Sequence, residues 1–237
     1  MDGIILAAGK GTRMRELTAN TPKPLLPIQG KPILEWSLLT LRPAVDHVLI
    51  VVNYLQEQIA DYMQQQTIFE HYHLVEQSEP LGTGHALQCC QSALHSDEFI
   101  VMNGDDLFHA GAIARLAQTP LGILAVDRDD GSSFGVIVPD ERGHVLRLHE
   151  KPPAGLYPPP VKINIGTYKL NRSVFDIPLT KHETRGEYEI TQYVTEMAQR
   201  QPVSIVESPF WFPMGTPEQL EAAQTLDLDA MMFGSDQ

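Results

Sequence analysis

Two compact runs rich in Ile, Leu and Val, residues 3–8 and 47–53, are each bounded by Gly, Pro, Asp or Asn, the pattern of parallel strands buried on both faces. Between them, residues 33–41 place apolar side chains at helical spacing. The alternation continues with a helix over 56–66, a strand over 72–76, a helix over 84–94 and a strand over 98–102 that runs into Asn103-Gly104-Asp105-Asp106. Strand and helix alternating in this way predict an α/β fold: a three-layer, doubly wound, Rossmann-like mixed sheet, with ligands at the carboxyl ends of its strands.

Beyond Asp105 the pattern is less regular. Residues 110–118 are compatible with a helix, and 121–126, 135–139 and 145–149 read as strands joined by turns at 129–131 and 140–143, so an antiparallel element is expected on the sheet. Five prolines within 152–160 make that stretch a surface loop, and a strand over 162–170 follows it. Helices are expected over 190–200 and 217–228, the second N-capped by Thr216 with Pro217 at its first position, and a frayed tail over 234–237. A chain of 237 residues without internal repeats suits one domain over 1–237, its halves meeting near residue 110 and the later half supplying a second substrate's pocket.

Charge narrows the function. With 17 basic against 30 acidic residues the net charge is -13, which argues against non-specific binding of nucleic acid or of an anionic membrane. Yet Lys10, Arg13, Arg15, Lys23 and Lys31 all fall within the first 31 positions, a local basic pocket in an acidic protein. No apolar run approaches the roughly 20 residues of a membrane span. The first residues lack the basic start of a secretory signal, so a cytoplasmic protein is expected. Cys89 and Cys90 are adjacent, where a mutual disulfide would be strained.

The strand 3–8 enters a glycine loop, Leu6-Ala7-Ala8-Gly9-Lys10-Gly11-Thr12-Arg13. Small residues there let backbone N–H groups approach phosphate oxygens, and Lys10 and Arg13 add positive charge. The loop is not a Walker A motif, and Met14 takes the place of a dinucleotide fingerprint's third glycine. On its own, Gly-x-Gly after a strand is equally the mark of a tight turn. Thr21-Pro22-Lys23-Pro24-Leu25-Leu26-Pro27-Ile28 follows, and its three prolines are expected to hold the backbone extended, so that a stiff segment presents Lys23.

Together these two segments resemble the signature of the sugar-1-phosphate nucleotidyltransferase family. The resemblance continues through Gln77-Ser78-Glu79-Pro80-Leu81-Gly82-Thr83-Gly84, similar to the family's base-binding loop and especially to that of uridylyltransferase domains making UDP-N-acetylglucosamine. It extends to Asn103-Gly104-Asp105, Glu150-Lys151-Pro152, Asn164-Ile165-Gly166 and Glu187-Tyr188-Glu189-Ile190-Thr191. It implies the nucleotide-diphospho-sugar transferase type of fold, with a nucleotide-binding half over about 1–110 and a sugar-binding half over about 111–237. It also implies transfer of a nucleotidyl group from an NTP to a sugar 1-phosphate, with Mg2+ held by Asp105. Arg13 would neutralise the departing pyrophosphate, Lys23 the α-phosphate and Lys151 the sugar phosphate. Leu6, Ala7, Ala8, Gly9, Gly11, Thr12, Gln77, Gly82 and Thr83 would hold the nucleotide. Gly104, Gly135, Glu150, Asn164, Glu189 and Thr191 would line the sugar side.

A glutamine amide both donates and accepts, which suits the edge of uracil or thymine, so UTP is favoured and dTTP next. Structural alternatives stay open: Asp105 as a helix cap, Gln77 as a surface residue, Glu189 and Thr191 as ordinary residues of a helix N-terminus. One departure matters. Where the family commonly carries a second metal aspartate, this chain has Trp211-Phe212-Pro213-Met214-Gly215-Thr216. Asp105 alone, Asp105 with Asp106, or a catalytically weak homologue that binds nucleotide sugars as a regulator would each be consistent with Pro213.

Overall fold

The computed structural model describes residues 1–182 and 186–235, so part of the expected frayed tail, Asp236 and Gln237, lies outside it. The chain runs through β1 (Asp2–Leu6), a short hairpin of β2 (Pro27–Ile28) and β3 (Lys31–Pro32), α1 (Ile33–Leu41), β4 (His47–Val52), α2 (Gln56–Gln65), β5 (Tyr72–Glu76), α3 (Thr83–Cys89) and β6 (Glu98–Asn103). It continues with β7 (Asp106–Phe108), α4 (Ala110–Ala117), β8 (Gly122–Arg128), β9 (Gly135–Pro139), β10 (Val145–Glu150), β11 (Val161–Asn171), α5 (Ile190–Ala198), β12 (Ser204–Glu207), β13 (Trp211–Pro213), α6 (Pro217–Ala223) and α7 (Leu228–Phe233).

The main sheet is mixed. Its path is β10-β9-β11-β6-β1-β4-β5, with β8 also pairing β11 and β12. β6, β1, β4 and β5 are mutually parallel, whereas β11 runs antiparallel to β6 and β8, and β9 to β10. The chain steps outward from β1 to β4 and β5, then returns to β6 on the other side of β1. That reversal is the topological switch point, and in folds of this kind ligands bind there, at the carboxyl ends of the strands, here β1 and β6.

Alternation along the central strands makes three layers. Ile5, Val48, Ile50, Val52, Ile100 and Met102 face a core with Leu34 and Leu38 of α1, Ile59 and Met63 of α2, and Ile113 and Leu116 of α4. Their neighbours Ile4, Leu49, Val51, Phe99 and Val101 face the opposite core with Leu87 of α3 and Tyr193, Val194 and Met197 of α5. Both faces are covered, which is why these strands are continuously apolar. α1 is apolar nearly all round because its outer side, Ile33 and Trp36, is covered by Met14, Met214, Leu228 and Met232.

The expected α/β alternation and the added antiparallel strands are present. Three features differ. The helix expected over 84–94 ends at Cys89 and continues as turns. The helix expected over 217–228 is broken into α6 and α7, because the Gln29 side chain donates to the carbonyls of Ala223 and Leu226, and Asp227 caps a new helix at Ala230 N–H. The strands β2, β3, β7, β12 and β13 were not foreseen. Thr216 caps α6 as expected, accepting from Gln219 N–H.

Candidate active site at the switch point

Hydrogen bonding at the switch point brings the glycine loop against the end of β6. Ala7 N–H donates to Val51 O, and Gly104 N–H to Leu6 O at 3.0 Å. A side chain at Gly104 would place its Cβ 2.7 Å from Ile5 Cγ2 and 2.9 Å from Leu6 O, so only glycine lets the two segments touch. The loop then turns back at Gly11, whose φ of 63° is left-handed, and whose carbonyl accepts from Met14 N–H and from Thr18 Oγ1. A Cβ on Gly11 would stand 3.0 Å from Lys23 Cβ. The glycine therefore makes room for the lysine.

Lys23 is buried, with 6 % of its side chain exposed, and its Nζ donates to Asp105 Oδ2 at 2.7 Å. Pro22 and Pro24 flank it in a short 3-10 turn over Lys23–Leu25, not in the extended backbone expected of this proline-rich segment. Asp105 is half-exposed. It does not cap α4: His109 does so, accepting from Ala112 N–H. Gly9, Lys10, Thr12 and Arg13 are exposed around the loop, and Arg13 lies against Gly215.

Asp106 has a different task. Its Oδ2 accepts from Trp211 Nε1 at 3.1 Å and its Oδ1 from Met214 N–H at 3.2 Å, and Pro213 lies directly opposite it across the β7–β13 ribbon. Burial, reinforced by the Asp105 charge, pushes its carboxyl up to about 7, against the pull of the Met214 hydrogen bond, the Lys23 charge and the Trp211 hydrogen bond. Each Asp106 oxygen is already committed to the strand that carries Pro213. Asp105 offers a half-exposed carboxylate at a strand end, the hard oxygen chemistry that Mg2+ takes when substrate phosphates and water fill its other positions.

Gln77 is buried, and the surface alternative is set aside. Its Nε2 donates to Gly82 O at 2.9 Å and lies 3.2 Å from His85 Nδ1. Gly82 has φ 101°, and a Cβ there would fall 2.4 Å from Tyr188 O. Gly84 N–H donates to Tyr188 O, Tyr188 N–H to Leu81 O, and Ile190 N–H to Thr83 Oγ1. The loop expected at the base is thus bonded to the segment expected at the sugar.

On that second side, a Cβ at Gly135 would lie 2.8 Å from Glu150 Oε2 and 3.6 Å from Asn164 Cβ. Asn164 Nδ2 donates to the Tyr168 hydroxyl at 2.8 Å, while its Oδ1 accepts from Gly166 N–H. Burial holds the Tyr168 phenol protonated well above its usual range, and the charges of Glu150 and Glu189 add to this. Asn164 therefore bonds to a hydroxyl that the sequence did not single out, with the charges of Glu150 and Glu189 acting on it through space. The fold shows why: β11 shifts register against β8 between Asn164 and Tyr168, an irregularity that exists only once the strands are paired. Glu189 occupies the N-cap position of α5 without a capping hydrogen bond, and Thr191 Oγ1 is 3.5 Å from its Oε2. Both line a cleft of about 390 Å³ with Leu148, His182 and Thr195. Lys151, just past the end of β10, is exposed with φ 46°, and its N–H donates to Phe134 O; among the described residues no hydrogen bond or ion pair joins it to Lys23 or Asp105.

Fold and site together define an α/β protein with a lysine–aspartate pair at the topological switch point of its sheet. The chain belongs to the nucleotidyl transferase family, whose model matches residues 2–230. It is 34% identical over 231 residues to the bifunctional protein GlmU of Methanocaldococcus jannaschii, covering 97% of this chain and 55% of that protein, so the chain spans about half the length of this relative. Its fold matches a UDP-glucose pyrophosphorylase complexed with UDP-glucose (TM-score 0.83, 23% identity, 94% of this chain and 96% of the other). A putative glucose-1-phosphate thymidylyltransferase from Bacillus anthracis matches at TM-score 0.81 and 25% identity, covering 97% and 96%. No helix among the described residues is long and apolar enough to cross a membrane.

Proposed function

We propose that this chain transfers a nucleotidyl group, UMP by preference and dTMP next, from an NTP to a sugar 1-phosphate, releasing pyrophosphate. The observation that carries this reading is the buried Lys23 paired with Asp105 beneath the glycine loop, a cation and a metal-type carboxylate delivered to one point by segments 82 residues apart. A sugar phosphate is already an anionic nucleophile, so alignment and charge neutralisation suffice and no strong base is needed. Mg2+ on Asp105 would supply charge neutralisation between the phosphates. Lys23, desolvated and held by its proline-flanked turn, steadies the α-phosphate region. Arg13, exposed at the rim, meets the leaving pyrophosphate, and Lys151 serves the sugar phosphate from the end of β10. Loop 7–12 offers backbone N–H groups to the triphosphate.

The pyrimidine preference rests on Gln77, fixed by Gly82 O at the end of β5, and the likeness to a thymidylyltransferase is in keeping with it. The sugar would sit among Gly104, Gly135, Glu150, Asn164, Glu189 and Thr191. Pro213 favours a regulatory reading only if the site needs a second carboxylate. A pure binding protein has no use for the Lys23–Asp105 pair, which argues for catalysis by a single-aspartate site. Pyrophosphate release with Mg2+ should be measured with UTP, dTTP, CTP, ATP and GTP against glucose, N-acetylglucosamine, galactose and mannose 1-phosphates. Release with one or two pairs, lost in Asp105→Asn, supports the proposal. Nucleotide-sugar binding without release from any pair refutes it.

A further inference from the structure

A second cluster lies at the opposite end of the sheet. Asp2, at the amino end of β1, is 1% exposed, and its Oδ2 accepts from the backbone N–H groups of His95 and Ser96. Its Oδ1 lies 3.0 Å from Nδ1 of His47, the residue beside it at the start of β4. The imidazole of His95, exposed in the connection before β6, stacks on that of His47 with centroids 4.4 Å apart. One ligating atom from each of the three residues falls within 4.8 Å of the others. Among the described residues this is the one group of three metal-type ligands so arranged.

We propose that Asp2, His47 and His95 form a binding site for a divalent transition metal of the Zn2+ type, distinct from the Mg2+ site and independent of the catalytic reading. Two imidazoles and a carboxylate suit borderline ions such as Zn2+, not Mg2+. A tetrahedral site with bonds of about 2.1 Å has ligand–ligand edges of about 3.4 Å. The Asp2–His47 separation of 3.0 Å is already close to one such edge. The third ligand is the exposed one, so a rotation of the His95 side chain closes the set and leaves the fourth position to water. The backbone bonds to Asp2 Oδ2 orient the carboxylate, as supporting hydrogen bonds do in metal sites. The ion would clip β1, β4 and the entry to β6 together, roughly 16 Å along β1 from the glycine loop.

Zn2+ alone is the probe, titrated calorimetrically into the full chain, with thermal unfolding measured in parallel. The expected result is one ion per chain and a raised Tm, with affinity at least about tenfold weaker in His95→Ala and in His47→Gln. His95 is exposed, so its variant folds even if His47→Gln does not, and its nucleotidyl transfer should be unchanged. Asp105→Asn and the double variant His71→Ala/His73→Ala, which removes two exposed histidines at the start of β5, one just before it and one within it, should bind Zn2+ as the parent does. Absence of binding to the parent, undiminished binding to His95→Ala, or loss in either control variant would overturn the assignment.

Discussion

Replacing Lys23 by Met separates the roles of the switch-point pair. Methionine keeps an unbranched stem in the buried groove beside Gly11 and deletes only the ammonium group. The cost to folding should be small: Asp105 keeps 39% of its side chain exposed, so water takes over part of what Lys23 Nζ provided at 2.7 Å. With only the Asp105 end of the pair open to water, its loss should cost about 1 kcal/mol, which in a domain of this size lowers Tm by about 2–4 °C. On the proposed reading the cost to turnover should be larger, because a desolvated charge beside the reacting phosphate would be worth about 2.7–4 kcal/mol, or roughly 10²–10³ in kcat. Pyrophosphate release at saturating substrates and thermal melting by circular dichroism would be compared for Lys23→Met, Asp105→Asn and the double variant. If the two residues act as a unit, the double variant should be little worse than the poorer single one. A loss of less than about tenfold in kcat would refute the role given to Lys23. So would a fall in Tm beyond about 8 °C, since lost activity would then be lost folding.

Asp106 keeps its proton in the folded chain up to about pH 7, while an unfolded aspartate releases it near 3.8. Unfolding therefore releases a proton between these values, so stability should fall as pH rises through that window, by on the order of a few kcal/mol, and the slope should flatten in Asp106→Asn, as read from urea unfolding at a series of pH values. Gly82→Ala forces a Cβ against Tyr188 O at φ 101° and should cost more than about 2 kcal/mol and raise KM for both substrates. Unchanged kinetics there would separate the loop from binding. Tyr168→Phe removes the hydroxyl that Asn164 donates to and should raise KM for the sugar phosphate several-fold, leaving KM for the NTP unchanged. An effect on the NTP alone would move Asn164 to the other substrate.

The fold was legible where local pattern and tertiary burial agree. β1, β4 and β6 are covered on both faces, so their sequences are uninterrupted apolar runs, and α2 carries a single buried stripe of Ile59 and Met63. What was not legible was created by distant pairing. β7 is three residues long and exists because β13 lies beside it, with Asp106 held by Trp211 from 105 positions away, so no local period announces it. The break between α6 and α7 is imposed by Gln29, about 195 positions earlier, capturing carbonyls that a longer helix would use itself. Chemistry followed the same rule. The glycine loop and the stiff Lys23 segment could be read directly, but their meeting with Asp105 came only from the family resemblance. Gln77 could be read as a surface residue because nothing local shows Gly82 folding over its amide.

The same distant pairing bears on how the two expected halves work together. They share one sheet, with β11 laid antiparallel on β6, so residue 110 is not the boundary of separate cores. Above that sheet, three hydrogen bonds join residues 81–84 to 188–190. On the proposed reading these are the base-side and sugar-side lips of the crevice. A nucleotide that orders the first lip must also order the second, because Tyr188 can leave Leu81 and Gly84 only by abandoning two backbone hydrogen bonds. The first substrate would then meet the ordering cost for both, and the second would bind to a lip already formed.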